Sequence, residues 1–152
     1  MNASDLLDPA DPKLFKALVE QLPDAVILTD RDGVVRVWNQ GAERVFGFAA
    51  HEAIGKSLDF IVPERLRAAH WEGFGRAIRN GRTRLGNEVR TTRSMHKDGR
   101  KLYVDLSFGL LTDAAGIVTG SVAVGRDCSA RYLAHKALAG RLAVLEPGAS
   151  PS

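Results

Sequence analysis

The sequence predicts an α+β fold built on a five-stranded antiparallel sheet with short helices on one face. Two β-rich runs, 25–29 and 34–38, are joined by the tight turn DRDG. A block of short helical segments follows, and then three more strand candidates at roughly 84–93, 101–112 and 117–126, joined by HKDG and DAAG. Strands and helices do not alternate, which excludes a parallel dinucleotide-binding sheet.

The helical segments follow from apolar spacing and capping signals. Asn39 is in an N-cap position before one helix, and the segment from Pro63 to Gly81 has a helix start and a left-handed stop signal. Helices are also expected in front of the first strand and after the last one. The predicted organisation is a flexible leader (1–12), an N-terminal capping helix (13–24), a core (25–127), a linker helix (128–146) and a disordered tail (147–152).

Composition narrows the class of protein. The chain has 152 residues, 45% hydrophobic and 26% charged, which suits one globular domain. Its net charge of +3 is modest and its arginines are scattered, so we expect no nucleic-acid partner. Cys128 is the one cysteine, which excludes an internal disulfide. No apolar run reaches the roughly 18 residues of a membrane helix, and we expect a cytoplasmic protein without a membrane segment.

One histidine, His70, lies in the middle of the helix that follows Pro63. At about 100° per residue it shares a face with apolar neighbours, several of them small. That face is expected to point inward and to leave space for a ligand or for a closely packed element. A lone histidine on such a face is more often a hydrogen-bonded core residue than a metal ligand, and both interpretations stay open here. The residues that share the face are Leu66, Ala69, Gly73, Phe74 and Ala77.

Several segments resemble a known family. LPDAVILTDRDGVVRVWNQGAERVFGF resembles the opening of a PAS domain, and KDGRKLYVDLSFGLL and GIVTGSVAVGRDCSARY resemble its closing strands and linker. The resemblance covers roughly residues 12–132. It is sharper to the haem-binding PAS oxygen sensors of the rhizobial sensor-kinase and bacterial phosphodiesterase types, because His70 follows Pro63 by seven residues and Arg90 follows His70 by twenty.

That resemblance implies a cofactor and its site. His70 would be the axial ligand of haem b, Arg90 would contact a bound diatomic gas, with oxygen the first expectation, and small residues on the helix would admit the flat macrocycle. Glu88 falls where the phosphodiesterase type has a methionine, and a bulge at Gly86 is needed to turn Leu85 and Arg90 to one face. The implied haem contacts are Ala69, Gly73, Phe74, Ala77, Leu85, Arg90, Val104, Leu106, Val122 and Val124.

The sequence is also compatible with other functions. The alternative is a PAS module with another small ligand or none, which acts in dimerisation or as a protein–protein adaptor. Catalytic motifs are absent from the sequence, so we expect no enzyme, and HEAIGKSLDF has no cysteine for covalent flavin photochemistry. The effector is unknown.

The flanking helices suggest how the domain assembles and signals. We expect a homodimer through the apolar side of the N-terminal helix, at Phe15, Leu18 and Leu22. The output is expected to leave through the last helix, where Leu138, Leu142 and Leu145 have heptad-like spacing. The resemblance further implies that Asp127 pairs with Arg131 at the start of that helix.

Overall fold

A computed structural model describes residues 7–84, 86 and 88–145, and therefore not all of the predicted leader and none of the tail. Along these residues the chain forms five α-helices and five strands. Their order is α1 (Pro12–Gln21), β1 (Ala25–Asp30), β2 (Val35–Trp38), α2 (Gln40–Phe46), α3 (Ala50–Ala53), a 3₁₀ turn (Leu58–Phe60), α4 (Glu64–Asn80), β3 (Arg90–Met95), β4 (Lys101–Thr112), β5 (Val118–Asp127) and α5 (Ser129–Leu145).

The strands form one antiparallel sheet in the order β2-β1-β5-β4-β3, which confirms the predicted α+β class. The third strand differs from the expectation, because it begins at Arg90 rather than near residue 84. Gly86 has a left-handed φ of 58° and lies in a turn in front of the strand, so the bulge expected inside the strand is not formed there. Among the described residues, no helix has both the length and the apolar composition to cross a bilayer.

The pairing register gives the sheet two distinct faces. Residues directly opposite each other in an antiparallel pair point to the same side. Leu102, Val104 and Leu106 of β4 are buried on the side that packs against the helices, which we call the inner face. Tyr103 and Asp105, which alternate with them, lie on the outer face.

The core lies between the inner face and the short helices. Trp38 at the end of β2 is 1% exposed, and its ring lies 5.3 Å from that of Phe46 and 5.4 Å from that of Phe60. These tilted contacts join β2, α2 and the 3₁₀ turn through one side chain. Val35 and Leu102 complete the fully buried centre.

A single buried amide joins the N-terminal elements. Asn39 is fully buried, and its Oδ1 accepts hydrogen bonds from the N–H of Val26 (2.8 Å) and the N–H of Ala42 (2.9 Å). Its Nδ2 donates to the carbonyl oxygens of Val19 (2.8 Å) and Asp24 (3.0 Å). The predicted N-cap of α2 is therefore confirmed, and the same side chain also holds α1 and β1.

We predict that Asn39→Ala lowers the free energy of unfolding by about 2–4 kcal/mol, because it removes a helix cap and leaves buried backbone groups without partners. Chemical denaturation followed by circular dichroism measures the change. Asn80→Ala, at the exposed end of α4, is the matched control and should change stability by less than about 0.5 kcal/mol. Equal effects of the two substitutions would contradict the role given to Asn39.

Candidate ligand site around His70

The helix that carries His70 has the predicted ends. Pro63 precedes α4, and Gly81 ends it with a left-handed φ of 69° and an N–H that donates to the carbonyl of Ala77. The residues on the inward face of α4 are not all the ones that were predicted. Ala69 and Gly73 are exposed and Ala77 is half-buried, so the small residues do not together form the surface that faces the sheet. The residues of α4 that are buried or half-buried include His70, Trp71, Phe74 and Ile78.

Trp71 explains this rotation of the helix. Its indole packs against the core and lies against Gly33 in the first hairpin, where an added Cβ would meet two ring carbons at 2.2 Å. Its Nε1 donates to Oδ1 of Asp59 at 2.7 Å. These two anchors turn Trp71 inward and carry Gly73, two positions away, toward solvent. The contact of Asp59 is not predictable from the sequence, since a lone aspartate in KSLDF has no local signal of such a contact.

His70 is half-buried and is held by aromatic rings rather than by a hydrogen bond. Its ring lies 4.7 Å from that of Trp71 in an edge-on arrangement and 6.3 Å from that of Phe74. Its Nδ1 is buried and has no hydrogen-bond partner in the described part of the chain. Burial lowers the pKa of the imidazole below its ordinary value, and the negative charge of Asp59 opposes that shift only in part. His70 is therefore neutral at neutral pH, as a metal ligand must be.

The sheet supplies apolar surface on the same side. Val104 and Leu106, which the resemblance assigns to the wall of a ligand site, are buried on the inner face. Phe108 follows on that face in the same alternation and is 40% exposed, so part of the apolar inner face is open. Phe108 was not among the predicted wall residues, although the period-two pattern of the strand places it on the same face as Val104 and Leu106.

Two other predicted wall residues lie on the wrong side of the sheet. Val122 pairs with Gly109, and Val124 pairs with Ser107. Both β4 partners alternate with Leu106 and Phe108 and therefore lie on the outer face, so Val122 and Val124 lie there too. On β5, the position that shares the inner face with Phe108 is Ala123. The pattern of β5 alone could not decide this, because valine alternates with small residues along it.

The register of β3 places Arg90 on the inner face of the sheet. Arg90 pairs with Leu106, which lies on that face, although the side chain of Arg90 is exposed. Glu88 precedes the strand and is exposed, so no carboxylate is buried at that position. Leu85 lies outside the described residues.

The residues near His70 fit a haem in part. A neutral imidazole with an unpaired buried nitrogen and an apolar inner face are the features that an axial ligand and a macrocycle need. No three histidine, cysteine, aspartate or glutamate side chains converge within the described ranges. A metal at His70 would therefore reach this site as part of a prosthetic group that brings its other ligands.

Helix α5 is attached to the outer face of the sheet. Arg131 at the start of α5 forms an ion pair with Asp105 of β4, whereas Asp127 accepts a hydrogen bond from the N–H of Ser129 at 2.8 Å. The expected pairing of Asp127 with Arg131 is therefore not formed. The rings of Tyr103 and Tyr132 stack with their centroids 3.9 Å apart. Strand β4 thus packs against the core with one set of residues and holds α5 with the other.

The sheet order and the helices on one face define a small α+β domain of the kind that serves as a sensory module. The chain belongs to the PAS family, since the family model of the PAS fold matches residues 13–128. Among solved structures, a PAS domain from Colwellia psychrerythraea has a TM-score of 0.65 at 23% identity and covers 76% of this chain and 93% of its own. An RNA-binding Light-Oxygen-Voltage receptor has a TM-score of 0.70 at 21% identity and covers 94% of this chain and 40% of its own. These likenesses show the fold alone.

Two curated relatives are named as sensor proteins, one of them as an oxygen sensor. The oxygen sensor protein DosP of Escherichia coli is 31% identical over 103 residues, which cover 68% of this chain and 13% of that protein. The sensor protein FixL of Bradyrhizobium diazoefficiens is 28% identical over 95 residues, which cover 62% of this chain and 19% of that protein. The aligned segment is less than a fifth of either relative's length.

We predict that the ligand-free chain loses stability as the pH falls below about 6.5, the ordinary pKa of histidine. Burial lowers the pKa of His70 in the folded state, so the unfolded chain takes up the proton first and is stabilised relative to the folded chain at acid pH. Unfolding titrations at several pH values measure this slope. His70→Gln should flatten it, whereas His51→Gln at an exposed position should not. A slope that persists unchanged in His70→Gln would disprove the assignment.

Proposed function

We propose that this chain is a cytoplasmic, non-catalytic sensory PAS module that binds haem b through His70. It would respond to a diatomic gas, with oxygen the first ligand to test, and relay the ligand state through α5. The observation that carries the proposal is the neutral, half-buried imidazole of His70 with its unpaired buried nitrogen. The likeness to an oxygen sensor protein and to the sensor protein FixL supports oxygen as the first ligand to test.

Each residue has a distinct task in this function. A bound haem would supply an iron that coordinates the gas reversibly. His70 provides the protein ligand, and the indole of Trp71 keeps its ring in one orientation. Val104 and Leu106 would form an apolar wall on one side of the site. Arg90 supplies a cationic donor from the same face of the sheet.

A second function is favoured by a separate observation. Phe15 and Leu18 of α1 are 58% and 55% exposed, although the helix is otherwise attached to the domain through Asn39. Exposed apolar residues on an ordered helix are typical of an interface. The alternative is therefore a PAS module that holds another small molecule or none and serves for homodimerisation or protein–protein signalling. Dimerisation is compatible with either ligand state.

The test of the haem proposal is an absorption spectrum of the full chain reconstituted with hemin. We predict a sharp Soret band for the unchanged protein, because His70 ligates the iron. His70→Ala should lose that band and bind hemin more weakly, while His51→Ala should match the unchanged chain. An identical spectrum and affinity for His70→Ala would rule out His70 as the ligand.

For Arg90, we predict that Arg90→Ala weakens oxygen affinity by roughly 10- to 150-fold, the value of a charge-assisted hydrogen bond of about 1.5–3 kcal/mol. Carbon monoxide is a poorer acceptor and its affinity should change much less. Flash photolysis and stopped-flow measurements give both affinities, with Arg100→Ala as the exposed control. Equal losses for the two gases would show a general disturbance of the site instead of a contact.

For the assembly, we predict that the double substitution of Phe15 and Leu18 by glutamate lowers the molar mass measured by light scattering to that of a monomer. Charges at these two positions cannot be buried in a symmetric interface without a large cost. Lys16→Glu on the same helix also changes the charge but lies at an exposed polar position, so the dimer should survive it. If the chain without substitutions is a monomer at micromolar concentrations, the predicted dimer interface is wrong.

A further inference from the structure

Helix α4 is attached to the hydrophobic core through one side chain. Of its 17 residues only Ile78, close to the end of the helix, is fully buried. Trp71, in the middle of the helix, is the residue of α4 that packs against the core cluster of the described chain. A helix that is held at one point leaves the domain by a local opening when that contact is lost.

Two groups on other elements hold the indole of Trp71. Its Nε1 donates a hydrogen bond to Oδ1 of Asp59 in the 3₁₀ turn at 2.7 Å. Its six-membered ring lies against Gly33 in the first hairpin, where any side chain would collide with it. The hydrogen bond fixes one edge of the indole, and the close approach to Gly33 fixes the depth to which the ring enters the domain.

The other side-chain hydrogen bonds of α4 do not reach another element. In the described chain, Arg76 donates to Glu72 one turn earlier in the same helix, and Nε of Arg67 donates to the carbonyl of Val62 just before the helix. The bond to Asp59 is therefore the side-chain hydrogen bond that joins α4 to a separate part of the fold.

His70 lies beside this contact. Its Nδ1 is buried and has no partner in the part of the chain that the structure describes, and its ring lies 4.7 Å from that of Trp71. A ligand reaches this nitrogen only when α4 moves. Both side chains belong to α4, so their contact is kept when the helix moves as a unit.

We propose that the contact of Trp71 with Asp59 and Gly33 is a latch that controls access to His70. While the latch is closed, α4 covers the core and the buried nitrogen of His70. When it is released, the space beside His70 opens to a ligand. The latch belongs to the ligand-free chain, and it rests on the proposed function only for the identity of the ligand.

Amide hydrogen exchange of the ligand-free full chain tests the latch. We expect the amides of α4 to exchange faster than those of β1, because α4 opens without the rest of the domain and a released helix of this length is marginally stable. Asp59→Leu should raise the exchange rates of α4 roughly tenfold, the value of a hydrogen bond to a charged group. Asp59→Asn keeps an acceptor for the indole and should have a smaller effect.

Two control substitutions separate the latch from general destabilisation. Glu72→Leu removes a carboxylate that contacts only its own helix, and it should change the exchange of α4 less than about threefold. Asn39→Ala weakens contacts that persist when α4 is open. It should therefore accelerate exchange in β1 and leave that of α4 unchanged.

A double substitution tests whether the two side chains act together. Trp71→Phe keeps an aromatic ring but has no N–H to donate. Asp59→Leu should have little further effect on α4 exchange when it is added to Trp71→Phe, since both remove the same hydrogen bond. Additive effects would overturn the latch, and so would α4 amides that exchange no faster than those of β1.

Stopped-flow mixing with hemin then follows entry to the site. We expect Asp59→Leu to increase the association rate of hemin about as much as it increases the exchange of α4, and Glu72→Leu to leave it unchanged. An unchanged association rate in a variant whose α4 opens more readily would show that the ligand does not pass the latch, and would overturn the proposal. If hemin does not bind the unsubstituted chain, the haem proposal fails, and the exchange rates decide on the latch.

Discussion

The buried amide of Asn39 is the interaction on which the arrangement of the domain depends. Its oxygen and nitrogen satisfy backbone groups of β1, α2, the end of α1 and the segment between α1 and β1. Strand β1 lies between β2 and β5, so the amide fixes the strand from which both sides of the sheet are built. An apolar side chain of the same size could fill the space but would leave these backbone groups unpaired. The amide of Asn39 therefore determines how α1, β1 and α2 are placed relative to one another, and it also stabilises that arrangement.

Strand β4 packs against the core on one face and holds α5 on the other. Val104 and Leu106 are buried on the inner face, and Tyr103 and Asp105 on the outer face hold the start of α5. Alternation along one strand thus places the two sets one residue apart, and a change in the twist of β4 on the inner side also moves the attachment of α5. A ligand acts on this strand only if it binds the two arrangements with different affinity.

Local signals in the sequence predict most of the fold, and contacts between distant residues decide the rest. The hairpin turns, the Asn39 cap and the Gly81 stop were predicted because each rests on a few adjacent residues. The rotation of α4 was not, because it depends on Trp71 meeting Gly33 and Asp59. Likewise, the outward position of Val122 and Val124 follows from the register against β4, and the pattern of β5 by itself contains no such information.

The environment of His70 is built from aromatic side chains and burial. A histidine that binds a metal is commonly oriented by a hydrogen bond to its second nitrogen. Here Nδ1 has no such partner among the described residues, and the edge of Trp71 fixes the ring instead. The orientation of the imidazole consequently depends on Asp59, which holds the indole at 2.7 Å, and on the absence of a side chain at Gly33. The orientation of the His70 imidazole thus depends on the first hairpin and the 3₁₀ turn as well as on its own helix.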